Sequence, residues 1–249
     1  MARSLWPREH GVYVEVSLPL LTGLVVSPSL SGAFVSMAVV MALLIHEPLL
    51  VLTGGRGRRK KAEWDAPARA RLRVLTIGTL AAGSAGFLLA SQAARLGIFA
   101  MLSCGLVSLF IALRYTSKTL LGELLVAMTF SLAFLPLTLT EGESNVNSWV
   151  VVGIWTAVFW LQTLNVHAVK SRDRILTHLS LAAATTLLVL AALGAARTYP
   201  VLVALGGPAL VTLGIIASRT GPKGLRRVGW LFACADVTAL LLIVWGWPH

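Results

Sequence analysis

Charge, acid and cysteine are all scarce in this chain. Only 12% of its 249 residues are charged, and 10 Asp and Glu face 21 Lys and Arg. An ordinary soluble domain carries about 25% Asp, Glu, Lys and Arg, so this composition excludes one. The two cysteines, Cys104 and Cys234, both fall inside apolar runs and read as buried thiols rather than a disulfide framework. No CxxC, haem-attachment or zinc-ribbon spacing is present. No convincing internal or inverted repeat is visible either. The segment Met1–Gly11 carries Arg3, Arg8 and Glu9 and lacks a small-residue cleavage site, so the first apolar run reads as a retained helix.

What the chain has instead is long apolar runs. It is 57% hydrophobic, with a mean hydropathy of +0.81. Nine runs can be drawn, at 11–27, 30–53, 72–94, 96–114, 119–139, 148–168, 174–194, 199–217 and 229–247. Each approaches the roughly 20 residues that a helix needs to cross a hydrocarbon core. Inside lipid every backbone group must be paired within its own segment or in a closed sheet, and continuous runs of this length select helices. The expected fold class is all-α, a polytopic bundle of about nine transmembrane helices. Residues 1–249 then form a single transmembrane domain. Pro19, Pro48, Pro136 and Pro208 punctuate the spans, and stretches such as Leu80–Gly86 and Leu181–Thr186 suit close helix packing.

The charges orient this bundle. With the N-terminus cytoplasmic, Arg3, Arg8, the basic run Arg56–Arg73, Arg114, Lys118, Lys170, Arg172, Arg174, Arg219, Lys223, Arg226 and Arg227 all fall on the cytoplasmic side. Only Arg95 and Arg197 fall outside. Moving one span scrambles that partition, so the positive-inside rule supports the odd count. The expected location is a bacterial inner membrane, multi-pass, with the C-terminus outside. The formal charge of +11 then reflects topology and not nucleic-acid binding.

Ionisable groups inside a membrane are costly and usually face a bundle interior or a water-filled cavity. Glu9 and His10 stand at the mouth of the first run, with Tyr13 a turn further in and Glu15 deeper. His46 and Glu47 lie near the end of the second, Glu123 near the start of the fifth, and Asp236 about two turns into the ninth. Gln162, Asn165 and His167 lead the sixth to its exit at Lys170, Arg172 and Asp173. Most lie within roughly 5–12 Å of the cytoplasmic ends at 1.5 Å rise per residue. A polar cup open to the cytoplasm is the simplest inference. Its candidate catalytic groups are Glu123, His10 and Glu47. Its candidate substrate-binding groups are Glu9, Tyr13, His46, Gln162, Asn165, His167, Lys170, Arg172, Asp173, Arg56 and Arg58. Glu123 has Thr119 and Ala127 at i±4 and no local cation, so another helix must satisfy it.

The string Trp6-Pro7-Arg8-Glu9-His10-Gly11-Val12-Tyr13 resembles the opening of the YwiC-like family of bacterial integral membrane proteins. His46-Glu47-Pro48-Leu49, Gly122-Glu123 with Ala127, and Leu225-Arg226-Arg227-Val228-Gly229-Trp230 fit the same family. Val12-Tyr13 departs mildly from its usual small-aromatic pair. In topology the chain more distantly resembles the UbiA-type intramembrane prenyltransferases, which have nine helices and a cytoplasm-facing cavity. That resemblance implies a magnesium-diphosphate site after the second and sixth helices. Here the first of these positions carries Gly54-Gly55-Arg56-Gly57-Arg58-Arg59-Lys60-Lys61, and the second carries Asp173 alone. The Asp-rich magnesium motifs are not intact, and magnesium needs oxygen ligands, commonly carboxylates. Arg and Lys can instead hold an anionic head group directly.

The cofactor stays open on these grounds. The expected function is a YwiC-like, UbiA-like membrane protein that binds or modifies a lipid or isoprenoid in the cup, with Glu123 or a His as general acid or base. One alternative is a transporter relaying protons through Glu15, Glu123 and Asp236. A second is an accessory subunit of a membrane complex, and a third is a metal or haem site built from His10, His46 and His167.

Overall fold

A computed structural model describes residues 10–115, 119–139, 146–197 and 199–247; the side chains of His10 and of residues 112–115 fall outside that description. All regular secondary structure among the described residues is helical, with eleven α-helices. These are α1 (His10–Val26), α2 (Leu30–Leu52), α3 (Arg58–Leu89), α4 (Gln92–Tyr115), α5 (Leu120–Leu132), α6 (Leu135–Thr138), α7 (Val146–Ser171), α8 (Arg174–Ala196), α9 (Pro200–Val203), α10 (Gly206–Ala217) and α11 (Leu225–Trp245). A short 3₁₀ turn, Pro222–Gly224, leads into α11. Eight helical stretches are 18 to 32 residues long and apolar enough to cross a membrane, counting α5 with α6 and α9 with α10 as one stretch each. The 17-residue α1 is the shorter ninth.

The two interrupted stretches have one cause. Pro136 and Pro208 have no N–H to offer the carbonyls of Leu132 and Ala204, four residues earlier. The turn before each proline tightens to i→i−3 bonds. Ala133 and Phe134 donate to Phe130 and Ser131, and Ala204 and Leu205 donate to Val201 and Leu202. Pro19 and Pro48 lie inside α1 and α2, which stay unbroken.

Helix starts follow their capping residues. Ser29 accepts from Gly32 N at 3.0 Å and Thr119 from Gly122 N at 3.1 Å. Asp173 Oδ1 accepts from Ile175 N at 2.7 Å and opens α8. Each side chain satisfies a backbone donor that the first helical turn leaves without a partner. Arg95 does the converse work at a helix end. It donates to Phe87 O at 3.1 Å and Leu88 O at 3.3 Å, and its guanidinium lies 5.2 Å from the Phe87 ring centroid.

Packing makes α7 the centre of the bundle. It touches α1, α5, α6, α8, α10 and α11, and its buried side chains extend from Ser148 to Val169. Trp155, Phe134, Phe159 and Leu135 are the largest side chains sealed in the main core. The long α3 sits at the edge and packs extensively only against α2. Small residues let that pair approach closely. A Cβ on Gly86 would stand 2.8 Å from Val35 Cγ2, and Ser31 Oγ donates to Gly86 O at 2.9 Å. Successive crossings run antiparallel, so the α2–α3 turn, the start of α5, the end of α7 and the start of α11 share one end of the bundle.

Candidate functional sites

The polar side chains nominated from the sequence separate into three centres, two at that shared end and one nearer the middle of the bundle. The first is Glu47. It lies in the last turns of α2 and is wholly buried. Arg56 donates from Nε at 3.1 Å to each carboxylate oxygen, and its Nη2 reaches Oε2 at 2.5 Å. Lys60 Nζ lies 3.2 Å from Oε1. The turn makes this possible: Gly54 and Gly57 take φ of +83° and +93°, a region that favours glycine, and so reverse the chain within a few residues. Val51 packs on Ala68, with Leu52 and Trp64 around them, and closes the apolar side of the same hairpin. Tyr13 on α1 lies within electrostatic reach of Glu47 and of Arg71 on α3.

The second centre joins α5 to α7. His167 Nε2 lies 2.8 Å from Glu123 Oε2, with the two side chains 21% and 42% exposed. Thr119 sets Glu123 in the first turn of α5, where a negative side chain complements the helix dipole. Trp160 Nε1 donates to Leu124 O at 2.8 Å and fixes the same two helices together. The partner that Glu123 lacks within its own helix is therefore supplied from α7.

The third centre joins α7 to α11. Gln162 Nε2 donates to Asp236 Oδ1 at 2.5 Å, and Asp236 is 1% exposed. Among the described residues Asp236 has no ion pair with a cation. Asn165, one turn further along α7, is also 1% exposed, and neither end of its amide has a partner.

Four of the remaining nominated residues stand apart from these centres. Arg58, Lys170, Arg172 and Asp173 are exposed, and Asp173 serves as the α8 cap. Arg172 adopts a φ of +56° at the turn between α7 and α8. His46 is half-buried on α2, next to Glu47. Glu9 and the His10 side chain lie outside the described residues. No group of three or more His, Cys, Asp and Glu gathers at metal-binding spacing among the described residues. A recess of about 330 Å³ does exist, but it sits at the opposite end and is apolar, lined by Ala93, Leu96, Gly97, Ala100, Leu139 and Trp149.

Two buried or partly buried polar residues carry no signal in the sequence. Lys60 was one of five neighbouring cations, and nothing in the spacing marked it as the second partner of Glu47. Thr212, a fully buried threonine on α10 with an unpaired hydroxyl, looks in sequence like any other small residue of an apolar run.

Comparison with known families bears on the first two centres. The profile of the YwiC-like protein family matches residues 6–138, just over half of the chain. The protein belongs to the YwiC-like family. The matched region contains Glu47, Arg56, Lys60 and Glu123, whereas His167, Gln162 and Asp236 lie beyond it. No curated protein and no solved structure matches the chain.

Proposed function

We propose that this YwiC-like protein binds the anionic head group of a lipid or isoprenoid at the cytoplasmic face of a bacterial inner membrane. The observation that carries the reading is the wholly buried Glu47 holding Arg56 and Lys60 at the α2–α3 turn. One carboxylate offsets one of the two cations, and the group keeps a net positive charge. Arg56 is gripped along one edge of its guanidinium and is 27% exposed, so it keeps donors for a second oxyanion. Bidentate guanidinium contacts suit a phosphate or carboxylate head group. Arg58, Arg59 and Lys61 start α3 beside it. Each basic residue near an anionic leaflet adds about 1 kcal/mol of attraction. The apolar tail would remain in the bilayer against the exposed face of α3. For modification of a bound lipid, Glu123 with His167 is the pair suited to proton transfer.

Native mass spectrometry of the detergent-purified protein tests this reading. The wild type should retain an anionic lipid or isoprenoid phosphate, and should prefer added phosphatidylglycerol to phosphatidylcholine. The double variant Glu47→Gln/Arg56→Gln removes one charge of each sign, so the net charge of the group is unchanged while the clamp is dismantled. It should lose that preference with its helical circular dichroism intact. Equal retention by a folded double variant overturns the reading.

A further inference from the structure

The apolar interior of the bundle is divided into separate clusters. The main core takes in Val158 and Leu161 of α7, Ala209 of α10, and Ala239 and Ile243 of α11. A second cluster nearer the basic end takes in Val169, Ile215, Val228 and Phe232 of the same three helices. Where the two clusters part on α7 and α11, the side chains are polar: Gln162, Asn165 and Asp236. On α10, Thr212 falls between Ala209 of the first cluster and Ile215 of the second, and the three helices pack on one another pairwise.

This junction is incompletely satisfied. Asp236 has one neutral donor, Gln162, and no ion pair among the described residues. Asn165 is 1% exposed with both amide atoms unpaired, and Thr212 is sealed with its hydroxyl unpaired. Each unpaired polar group costs free energy in the interior, and native interiors leave few of them. A carboxylate with no counter-charge costs more. A small cation that takes oxygen ligands answers the charge of Asp236 and the oxygen lone pairs of Asn165 Oδ1 and Thr212 Oγ1 together.

We propose that Asp236, Gln162, Asn165 and Thr212 form an intramembrane site for a monovalent alkali cation, sodium in the first instance. The donors available are carboxylate, amide carbonyl and hydroxyl oxygens, a hard set with no thiolate or imidazole, which disfavours transition metals. A single carboxylate gives a neutral site with a single positive charge, whereas calcium and magnesium sites usually draw on further carboxylates or phosphates. Gln162 and Asn165 are three residues apart on α7, so their side chains are neighbours on one helix surface. The site is independent of the head-group site at Glu47.

The test is equilibrium dialysis of radioactive sodium against the full chain in detergent, with choline chloride holding the ionic strength. The expected result is saturable binding of one sodium per chain, accompanied by a rise in melting temperature that choline does not produce. Asp236→Asn should abolish the binding, and Asn165→Ala should weaken it about tenfold, the loss of one good ligand. Thr212→Val is nearly isosteric and should weaken it without lowering the melting temperature in choline, which separates ligation from packing. No saturable sodium binding by the wild type overturns the proposal. So does unchanged binding by folded Asp236→Asn. A protonated-carboxyl infrared band that persists in saturating sodium and disappears in Asp236→Asn also overturns it, in favour of a proton at that position.

Discussion

Glu47 and Asp236 are both carboxylates sealed inside the same bundle, yet they are satisfied in opposite ways. Glu47 sits where α2 turns back into α3, and two cations reach it from the turn and the first residues of the next helix. Asp236 sits in the middle of α11, where the neighbouring helices bring an amide and no cation among the described residues. The difference is one of depth. Long basic side chains reach inward from an interface while their stems stay in apolar surroundings, and that reach ends after a turn or two. A carboxylate near the end of a span is thus neutralised by the protein's own loop. One set deeper is left to amides, hydroxyls and whatever the site takes up.

Removing partners breaks this contrast most directly. Arg56→Ala strands Glu47 and should destabilise the protein by about 3–5 kcal/mol, the usual cost of unpairing a buried charge. Thermal unfolding in detergent measures it, and a loss near zero would mean that Lys60 alone suffices. Gln162→Ala strands the group at the third centre with fewer compensating contacts already in place. In sodium-free buffer it should cost about 1–3 kcal/mol, the penalty of an unmade buried hydrogen bond. A cost above that of Arg56→Ala would reverse the ranking of the two sites. Glu123→Gln touches a pair that is partly open to solvent, and Gln retains an acceptor for His167. It should shift stability by less than about 1 kcal/mol. A larger shift would show that the Glu123–His167 contact holds α5 to α7 more firmly than Trp160 does.

Much of the architecture was legible in the sequence. The long apolar runs marked the crossings, and the helices fall where those runs fall, from His10–Val26 to Leu225–Trp245. Two details of the helices were less legible. Four prolines looked alike in sequence, but only Pro136 and Pro208 interrupt their stretches. The helix of residues 58–89 begins well before the apolar run at 72, because its first turns are charged and helical at once. Periodicity and hydropathy mark the membrane-embedded part of such a helix and are silent about its polar extension.

The candidate site was legible residue by residue and not as an arrangement. Glu123, His167, Glu47, Gln162 and Asn165 were each marked by being polar in an apolar run. A single cup was the simplest way to join them because they share similar depth. Depth along a helix is a sequence property, since it follows from counting at a fixed rise. Azimuth around the bundle is not. Glu123 and Gln162 both contact partners at neighbouring helices, but α5 meets one side of α7 and α11 another, so the groups part into separate centres.

Composition and order along the chain thus determined that this protein is a helical bundle of membrane-spanning length, and which few side chains inside it are polar. Those outcomes rest on local quantities: backbone pairing within each helix, and the cost of polar groups in lipid. Tertiary structure alone decided that Arg56 and Lys60 converge on Glu47, that His167 answers Glu123, and that Asp236 meets an amide instead of a charge. The first pairing depends on how the α2–α3 turn folds back, and the other two on how helices distant in sequence are rotated against one another. That rotation is set by the packing of small and large side chains over the whole interface, and no stretch of sequence encodes it by itself.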